Sequence, residues 1–247
     1  MTTLVVLQPS YLPWLGFFDQ VRRCDRFVFY DDVQYDKDGW RNRNRIKSAA
    51  GPVWLTVPVR TRGRMGQPIN EVEIANATPW AHKHLKTIEE AYARAPRRDA
   101  YLRPLAELLV RKWERLVDLD MALSRLMCGW FGLDRPMARA SELGIGGDRN
   151  TRLIALCRHF GADTYLSGNA AQAYLDVAMF AAHGIRVEWQ NFRHPEYPQQ
   201  HGPFLPYLSA LDLVLNVGEE CAAVLAGAGR TDASDTAGGL AGGPPED

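Results

Sequence analysis

The strongest constraint on the fold is a strand–helix–strand pattern near the start of the chain. Residues 3–7 (TLVVL) are a short apolar run rich in β-branched side chains, which is typical of a buried strand. Residues 15–23 (LGFFDQVRR) place apolar side chains at helical spacing, and residues 26–30 (RFVFY) form a second apolar run. A strand, a helix and a strand within about 30 residues match the size of a βαβ unit, so the sequence predicts a parallel sheet.

The rest of the chain predicts that this sheet continues and is interrupted by helices. Residues 79 to about 131 carry apolar side chains at helical spacing, which we interpret as a helical insertion over about 79–140. The back third repeats helix, strand, helix and strand. The expected fold class is therefore α/β, a mostly parallel sheet with flanking helices and a helical insertion. Further strands are predicted at residues 53–59, 71–74, 164–166 and 185–189, and further helices at residues 150–160 and 170–183.

Charge is unevenly distributed along the chain. The 29 Lys and Arg residues balance 29 Asp and Glu residues, which argues against a surface built throughout for nucleic acid or acidic membrane. Residues 226–247 are rich in Gly and Ala and hold one Arg against four acids, so they predict a disordered acidic tail. Residues 1–225 then carry a net +3 and are expected to form a single α/β domain. Within them, residues 36–64 hold eight Lys and Arg against two Asp.

Several classes of protein lack their sequence signatures here. No run approaches the roughly 18 apolar residues of a membrane span, and the N-terminus does not resemble a secretion signal, so we expect a cytoplasmic protein with no membrane partner. The four cysteines show no CxxC or CxxH spacing and are expected to be buried rather than metal-bound. The motifs GxxxxGK[ST], GxSxG and HExxH do not occur, and we expect no cofactor.

The first candidate site follows the first predicted strand. Ligands of parallel sheets bind beyond the carboxyl ends of the strands, and the loop there reads QPSYLPWLG. Two prolines stiffen this loop, while Gln8, Tyr11 and Trp14 supply an amide, a phenol and an indole that suit substrate binding. The alternative is a rigid turn whose aromatic side chains cap the core.

The second candidate site begins where the second strand ends. Asp31 and Asp32 are candidates to hold a substrate amine as its cation or to bind a metal, and they alternatively pair with nearby arginines. Cations then recur with period two, which on an extended segment places them on one face and suits a phosphate-bearing partner. The alternative is a solvated strand face paired with acids, but the alternating Asn42 and Asn44 make the opposite face polar as well, which is unlike a core strand. The proposed binding residues are Tyr35, Trp40, Arg41, Asn42, Arg43, Arg45 and Lys47.

The third candidate site lies in the back third. Ser167, Gly168 and Asn169 follow a predicted strand and precede a predicted helix, an arrangement that presents backbone N–H groups to an anion. His194 and Tyr197 lie in a proline-containing loop after the last predicted strand. His194 is the candidate acid–base residue, because imidazole titrates near neutral pH, and the alternative is a structural histidine. The sequence His82-Lys83-His84 is interpreted as surface.

These same segments resemble the WbqC-like protein family. The resemblance rests on QPSYLPWLGFFDQ, FVFYDDVQY, WRNRNRIK with WLTVPV, TYLSGNAAQAYLD and HPEYPQQHGPFLPYLSALDLVLN, which span residues 4 to about 218. It implies a bacterial protein of O-antigen, other glycan or specialised-metabolite biosynthesis, in a family suggested to include a glycine transferase. The family supplies no established catalytic residues. The opening segment is also similar to the Rossmann-like, nucleotidyltransferase-type fold of pantothenate synthetase, although the HxGH signature is absent.

The resulting hypothesis is an amide-forming acyl- or aminoacyltransferase, glycyl in the first instance, acting on an amino sugar or related small amine. The missing ATP motifs favour a donor activated beforehand, either a carrier-protein thioester or an aminoacyl-tRNA. His194 then deprotonates the amine, Asp31 or Asp32 holds its cationic form, and the cationic segment binds donor phosphate. Two alternatives stay open: an ATP-dependent, adenylate-forming ligase, and a non-catalytic sugar- or nucleotide-binding accessory protein. The sequence does not indicate an oligomeric state.

Overall fold

A five-stranded parallel sheet organises the structure, a computed structural model that describes residues 1–228. The strands of the structure are β1 (Thr3–Leu7), β2 (Arg26–Phe29), β3 (Arg43–Ser48), β4 (Gly51–Thr56), β5 (Met137–Arg139), β6 (Thr164–Ser167) and β7 (Arg186–Trp189). The strand order of the sheet is β5-β2-β1-β6-β7, and every neighbouring pair is parallel. A separate antiparallel hairpin is formed by β3 and β4.

Helices cover both faces of the sheet, because apolar side chains of the strands alternate between them. On β1, Val5 packs into a large core with the first four helices and the last two, while Leu4 and Val6 pack against the helices that precede and follow β6. Both layers are therefore hydrophobic. The helices are α1 (Leu15–Arg23), α2 (Trp80–Ala91), α3 (Arg98–Leu109), α4 (Leu116–Trp130), α5 (Ala140–Leu143), α6 (Arg149–His159), α7 (Val177–Ala182), α8 (Leu211–Val217) and α9 (Cys221–Ala226).

The predicted α/β class with flanking helices is confirmed. Strands β1 and β2 pair in parallel with α1 between them, as the βαβ pattern predicts. The chain extends the sheet from β1 through β2 to β5, then returns to the other side of β1 and continues through β6 to β7. The carboxyl ends of β1 and β6 thus flank a topological switch point, where open α/β sheets bind ligands.

Helices α2, α3 and α4 occupy most of the segment predicted as a helical insertion. They pack on the same face of the sheet as α1 and share its core. Helix α9 ends at Ala226, the first residue of the predicted tail, and residues 229–247 of that tail lie outside the described residues. The division into one domain and a tail therefore stays a prediction. Within residues 1–228, no helix combines the length and the hydropathy that a membrane crossing requires.

Three local predictions differ from the structure. Residues 170–183 form a 3₁₀ turn (Asn169–Ala173) followed by α7, because the Asp176 side chain caps α7 by accepting from the Met179 N–H. Residues 71–74 contribute single bridges after a 3₁₀ turn rather than a strand. Strand β4 ends at Thr56, ahead of Pro58, which has no N–H to continue a ladder.

Candidate functional site

The loop after β1 is held in an unusual conformation by side chains of the second candidate segment. The amide nitrogen of Asn44 donates to the carbonyl oxygens of Tyr11 and Leu12 at 3.3 and 2.7 Å. The backbone carbonyl of Arg41 accepts from the Tyr11 N–H at 3.0 Å, and the Arg41 guanidinium donates to the Pro9 carbonyl at 3.3 Å. Leu12 is completely buried at φ +44°, a conformation that costs a non-glycine residue about 1–3 kcal/mol. The surroundings therefore impose this shape on the loop.

Tyr11 points inward, where its hydroxyl lies 2.9 Å from Nδ1 of His84. His84 is only 8% exposed, so its interpretation as a surface residue is wrong, although His82 and Lys83 on the same helix are exposed. Burial lowers the pKa of His84 to about 4, and a backbone hydrogen bond with Thr56 opposes that shift. The imidazole is therefore neutral at physiological pH.

A buried polar cluster adjoins this loop, and Asp120 of α4 is its centre. Asp120 is completely buried, and neither carboxylate oxygen accepts a hydrogen bond from the described residues. Burial raises the pKa of Asp120 well above its usual range, and the charge of Arg41 opposes the shift. The hydroxyls of Ser124, one helical turn further on, and of Tyr35 are likewise buried without a partner in residues 1–228.

Arg41 and Tyr35 share this cluster, because the charge of Asp120 raises the pKa of both. Burial lowers the pKa of Arg41, and Asp120 acts against that change. The pKa of Tyr35 is raised to about 12, first by burial and then by Asp120. Sequence reasoning missed Asp120 and Ser124. The available signal was their i, i+4 spacing within the largely apolar sequence of α4, which places two polar groups on one helix face.

Asp31 and Asp32 are engaged by arginines, but by Arg139 and Arg152, 108 and 120 positions away, rather than by the nearby arginines of the sequence alternative. Asp31 is completely buried and accepts from Arg139 Nε at 2.8 Å, Ser141 N at 3.0 Å and Ser141 Oγ at 2.7 Å. Asp32 forms an ion pair with Arg152 of α6. The carboxylate of Asp31 is thereby unavailable to a substrate amine, so its expected amine-holding role does not fit this geometry. Within residues 1–228, no group of three or more His, Cys, Asp or Glu is arranged to hold a metal ion.

The four cations that recur every second residue do not share one exposed surface; they are Arg41, Arg43, Arg45 and Lys47. Arg41 precedes β3 and belongs to the polar cluster, whereas Lys47 is buried and donates from Nζ to Gln199 Oε1 at 3.1 Å and to backbone carbonyls of Gly202 and Pro203. Lys47 therefore anchors the loop beyond His194. Only Arg43 and Arg45 remain on the outer face of the hairpin.

The expectation that β3 is polar on both faces and so lies outside the core is wrong. Asn42, Asn44 and Ile46 alternate along the inward face and are buried. The two amides are tolerated there because they bond to backbone carbonyls, Asn42 to Val57 at 2.8 Å and Asn44 to the loop after β1. Their polarity marks a contact between segments rather than a solvated face.

Aromatic rings enclose His194, the candidate base. The ring centroids of Phe204 and Tyr207 lie 5.6 and 5.5 Å from that of His194, and those of Phe192 and Tyr197 lie 6.0 and 6.2 Å away. Burial lowers the pKa of His194, although a hydrogen bond to the Pro195 backbone opposes this change. The ring is therefore predominantly neutral at pH 7.

The protonation of each His194 nitrogen follows from its partners. Nδ1 lies 2.9 Å from the Pro195 carbonyl, which only accepts, so Nδ1 carries the proton and donates. Nε2 of the neutral ring then presents a lone pair. It is buried and has no hydrogen-bond partner in the described part of the chain. A free lone pair on a ring of fixed tautomer is what a general base requires.

Trp14 joins the loop after β1 to the surroundings of His194. Its ring lies 5.3 Å from Phe192 and 6.0 Å from Tyr207, and both of these residues contact His194. A Cβ on Gly16 would lie 2.2 Å from the Trp14 ring, so only glycine lets the indole cross the start of α1. Two predicted site residues from distant segments are thus brought together.

Tyr197 has a structural partner. Its hydroxyl donates to Asp212 at 3.0 Å, and Tyr92 donates to the other oxygen of the same carboxylate at 2.7 Å. Asp212 is completely buried, and burial raises its pKa while these hydrogen bonds oppose the change. Asp212, Tyr92 and Tyr207 were not recognised in the sequence, since nothing local distinguishes them from core residues.

The remaining predicted residues lie at the carboxyl ends of β1 and β6. Gln8 is half-buried after β1, and Ser167 is buried at the end of β6. Asn169 exchanges two hydrogen bonds with Asn191, which tie the loops after β6 and β7 together. The five-residue 3₁₀ turn after Gly168 is too short to provide the helix dipole that an anion cradle would use.

All four cysteines are buried, as predicted. Burial raises the pKa of Cys24, Cys128 and Cys157 to about 12 and that of Cys221 to about 11. Thiolates are therefore scarce at neutral pH. This disfavours a nucleophilic role for any of them.

The class of this protein is defined by a doubly wound α/β sheet. Loop 8–14, the β3–β4 hairpin and the loop that contains His194 lie together at one edge of that sheet. The chain belongs to the WbqC-like protein family, which it matches over residues 8–223, a range that includes every site residue named above. It is 36% identical over 226 residues to a Mycobacterium tuberculosis H37Rv protein named "Uncharacterized protein Rv1507c", covering 89% of this chain and 96% of that protein. No solved structure matches the chain.

Proposed function

We propose that the protein is an amide-forming acyl- or aminoacyltransferase that transfers a pre-activated acyl group, glycyl in the first instance, to an amino sugar or related small amine. The observation that carries the proposal is the geometry of His194. Its Nδ1 is committed to the Pro195 carbonyl, its Nε2 lone pair is free, and its pKa is lowered by burial. These are the properties of a base poised for amine deprotonation.

The amine nitrogen attacks the acyl carbonyl carbon while His194 Nε2 accepts its proton. The C–N bond forms, the bond from carbon to the thiol sulfur or ribose oxygen breaks, and the proton passes to the leaving group. Trp14, Phe192 and Tyr207 exclude water from this step, which protects the activated donor from hydrolysis.

The test is a turnover assay with glycyl donors of both kinds and a panel of amino sugars, read by mass spectrometry. His194→Ala is expected to lower turnover by roughly 10²–10⁴-fold with donor binding intact, because only the proton acceptor is lost. Added imidazole should restore part of the rate. His183→Ala is the matched control: it removes an exposed histidine whose Nδ1 also lies 2.8 Å from a backbone carbonyl.

The assay also separates the alternatives. Unchanged turnover in His194→Ala eliminates this residue as the base. Glycine-dependent exchange of pyrophosphate into ATP would contradict a pre-activated donor and support an adenylate-forming ligase. Saturable binding without product from any donor would support an accessory binding protein and overturn the proposal.

A further inference from the structure

The outer face of the β3–β4 hairpin carries stacked tryptophan and arginine side chains. We call Trp40, Arg43, Arg45 and Trp54 the Trp–Arg face. The guanidinium carbon of Arg43 lies 4.6 Å from the Trp54 ring centroid, and that of Arg45 lies 5.4 Å from both indole rings. The two indoles lie 5.2 Å apart, and Trp54 is 41% exposed. Four planar side chains are thus close together on this face, with the two indoles tilted by 37°.

The pairing of the two strands produces this arrangement. Arg45 lies directly opposite Trp54 in the antiparallel register, and Arg43 shares the face of Arg45 by the period-two rule. The other face of the hairpin carries Asn44 and Ile46 into the core. The Trp–Arg face is therefore directed outward by the same register that buries its opposite side.

The arginines of this face keep their positive charge available. Within residues 1–228, neither Arg43 nor Arg45 has a carboxylate within ion-pair distance, although both Nε atoms are buried and Arg43 donates from Nη2 to the Asp38 carbonyl. The contrast with nearby cations is clear, since Arg60, Arg64 and Arg115 all surround Glu73. The unneutralised charge of this segment therefore includes the guanidiniums of Arg43 and Arg45, together with the exposed Lys37 and Arg62.

Indoles beside unneutralised guanidiniums fit a ligand with flat rings and phosphates. The arm of a carrier protein supplies a phosphate, but the rest of the arm is an aliphatic chain. It would leave the indoles without a flat ring to stack on. Nucleic-acid bases stack on aromatic rings and on guanidinium planes, and their phosphates pair with arginine. Sites for free small molecules are usually concave, whereas this surface is the outer face of a hairpin, which suits an extended strand.

The face also borders the candidate active site. The Ser209 N–H donates to the Arg45 carbonyl at 2.9 Å, and Tyr207 two residues earlier packs 5.5 Å from His194. Lys47, on the same face of β3 as Arg45, holds the loop that follows His194. We propose that the Trp–Arg face binds the single-stranded end of an acylated RNA, so that RNA is the donor carrier. This inference rests on the proposed function only where it makes the RNA the acyl donor; the binding of RNA does not depend on that function.

Fluorescence anisotropy with the full chain and a short, 5′-labelled single-stranded RNA tests the binding. Trp54→Ala should weaken binding by about 5- to 150-fold through the loss of base stacking. Arg43→Ala with Arg45→Ala should weaken it and reduce the dependence on salt by the equivalent of about two phosphate contacts. Far-UV circular dichroism checks that each variant is folded.

The controls match the lost groups in exposure and charge. Tyr174→Ala removes an exposed aromatic ring, 46% exposed, and Arg98→Ala with Arg103→Ala removes two charges that have acidic partners. Both should bind as the wild type does. Equal affinity of the wild type and the Trp54 and arginine variants, or competition by ATP or coenzyme A as effective as by RNA, would overturn the inference.

Failure of this inference can be distinguished from failure of the proposed function. Turnover from a carrier-protein thioester without RNA binding would overturn the RNA site and leave the transferase in place. RNA binding that depends on the Trp–Arg face, without turnover from acylated RNA, would support the site and overturn the transferase. His194→Ala should bind the RNA normally in either case.

Discussion

Individual residues near the loop after β1 show how burial tunes titration in this molecule. Burial holds the pKa of Asp120 well above its usual range and lowers the pKa of His84 to about 4, so both side chains are biased toward their neutral forms. The Tyr11 hydroxyl thus contacts a neutral imidazole, whereas the Pro9 carbonyl of the same loop accepts from the guanidinium of Arg41. Asp120 was detectable in the sequence only as a polar residue in an apolar helix, because its burial depends on segments more than 70 positions away.

The first prediction concerns the pH dependence of stability that His84 creates. Its pKa is about 4 in the folded protein and 6.5 ordinarily, so the unfolded chain binds more protons between these values. The stabilisation is present above pH 6.5 and is lost as the pH falls toward 4. His84→Asn keeps an acceptor for the Tyr11 hydroxyl but does not titrate. Between pH 7 and 4.5 the wild type should lose about 2 kcal/mol more stability than the variant.

Urea unfolding at both pH values measures the difference, and comparing the two proteins cancels the opposite contribution of Asp120. His82→Asn replaces an exposed histidine on the same helix and should behave as the wild type does. An equal loss of stability in the wild type and His84→Asn would mean that the pKa of His84 is the same in the folded and the unfolded protein.

At the scale of elements, the β3–β4 hairpin shows what the sequence could predict and what it could not. The period-two cations correctly indicated an extended segment with Arg43, Arg45 and Lys47 on one face. The different burial and partners of these three side chains could not be predicted, because they depend on contacts such as that of Lys47 with Gln199, 152 positions later. The inward asparagines were misinterpreted for the same reason: their backbone partners lie on other segments.

The second prediction separates Lys47 from phosphate binding. Lys47→Met keeps the aliphatic chain but removes donors to Gln199 and to the carbonyls of Gly202 and Pro203. Unsatisfied buried acceptors cost about 1–3 kcal/mol each, so we expect a loss of about 2–4 kcal/mol in the free energy of unfolding and faster proteolysis near residues 199–203. The affinity of the folded protein for the acyl donor should be unchanged.

Lys83→Met, which alters an exposed lysine of α2, should change neither stability nor proteolysis. The opposite pattern, with normal stability and weakened donor binding in Lys47→Met, would return Lys47 to the ligand-binding residues that the sequence alone proposes.

In the complete fold, the sheet joins strands from the first 30 residues to strands between residues 137 and 189. The βαβ unit and the apolar runs near residues 164 and 186 were sufficient to predict a parallel α/β sheet. Strand β5 was not foreseen, since Met137–Arg139 is only three residues long and has no apolar run. The candidate site was predicted in outline from the strand ends, whereas its buried partners were set by tertiary packing. The His194 loop, for example, meets the loop after β1 through Phe192 and Tyr207.

The third prediction follows from a buried hydrogen-bond network that links the segment after β7 to α1. Gln190, after β7, donates to the Gly16 carbonyl at 2.7 Å and to Asp19 at 3.0 Å, and it accepts from Gln20 at 2.9 Å. Gln190→Leu keeps the volume but leaves polar groups of α1 unpaired. We expect a loss of about 2–4 kcal/mol, because each unpaired buried group costs about 1–3 kcal/mol. Gln172→Leu, at an exposed position, is the matched control.

Circular dichroism and tryptophan fluorescence, followed together during urea unfolding, should give one coincident transition that shifts as a unit in Gln190→Leu. The reason is that β1 is hydrogen-bonded to both β2 and β6, so neither half of the sheet retains its neighbour once the other opens. Two separate transitions, with only one moved by the substitution, would mean that the front and back segments fold independently. Coincident transitions would instead support the single domain that the sequence predicts for residues 1–225.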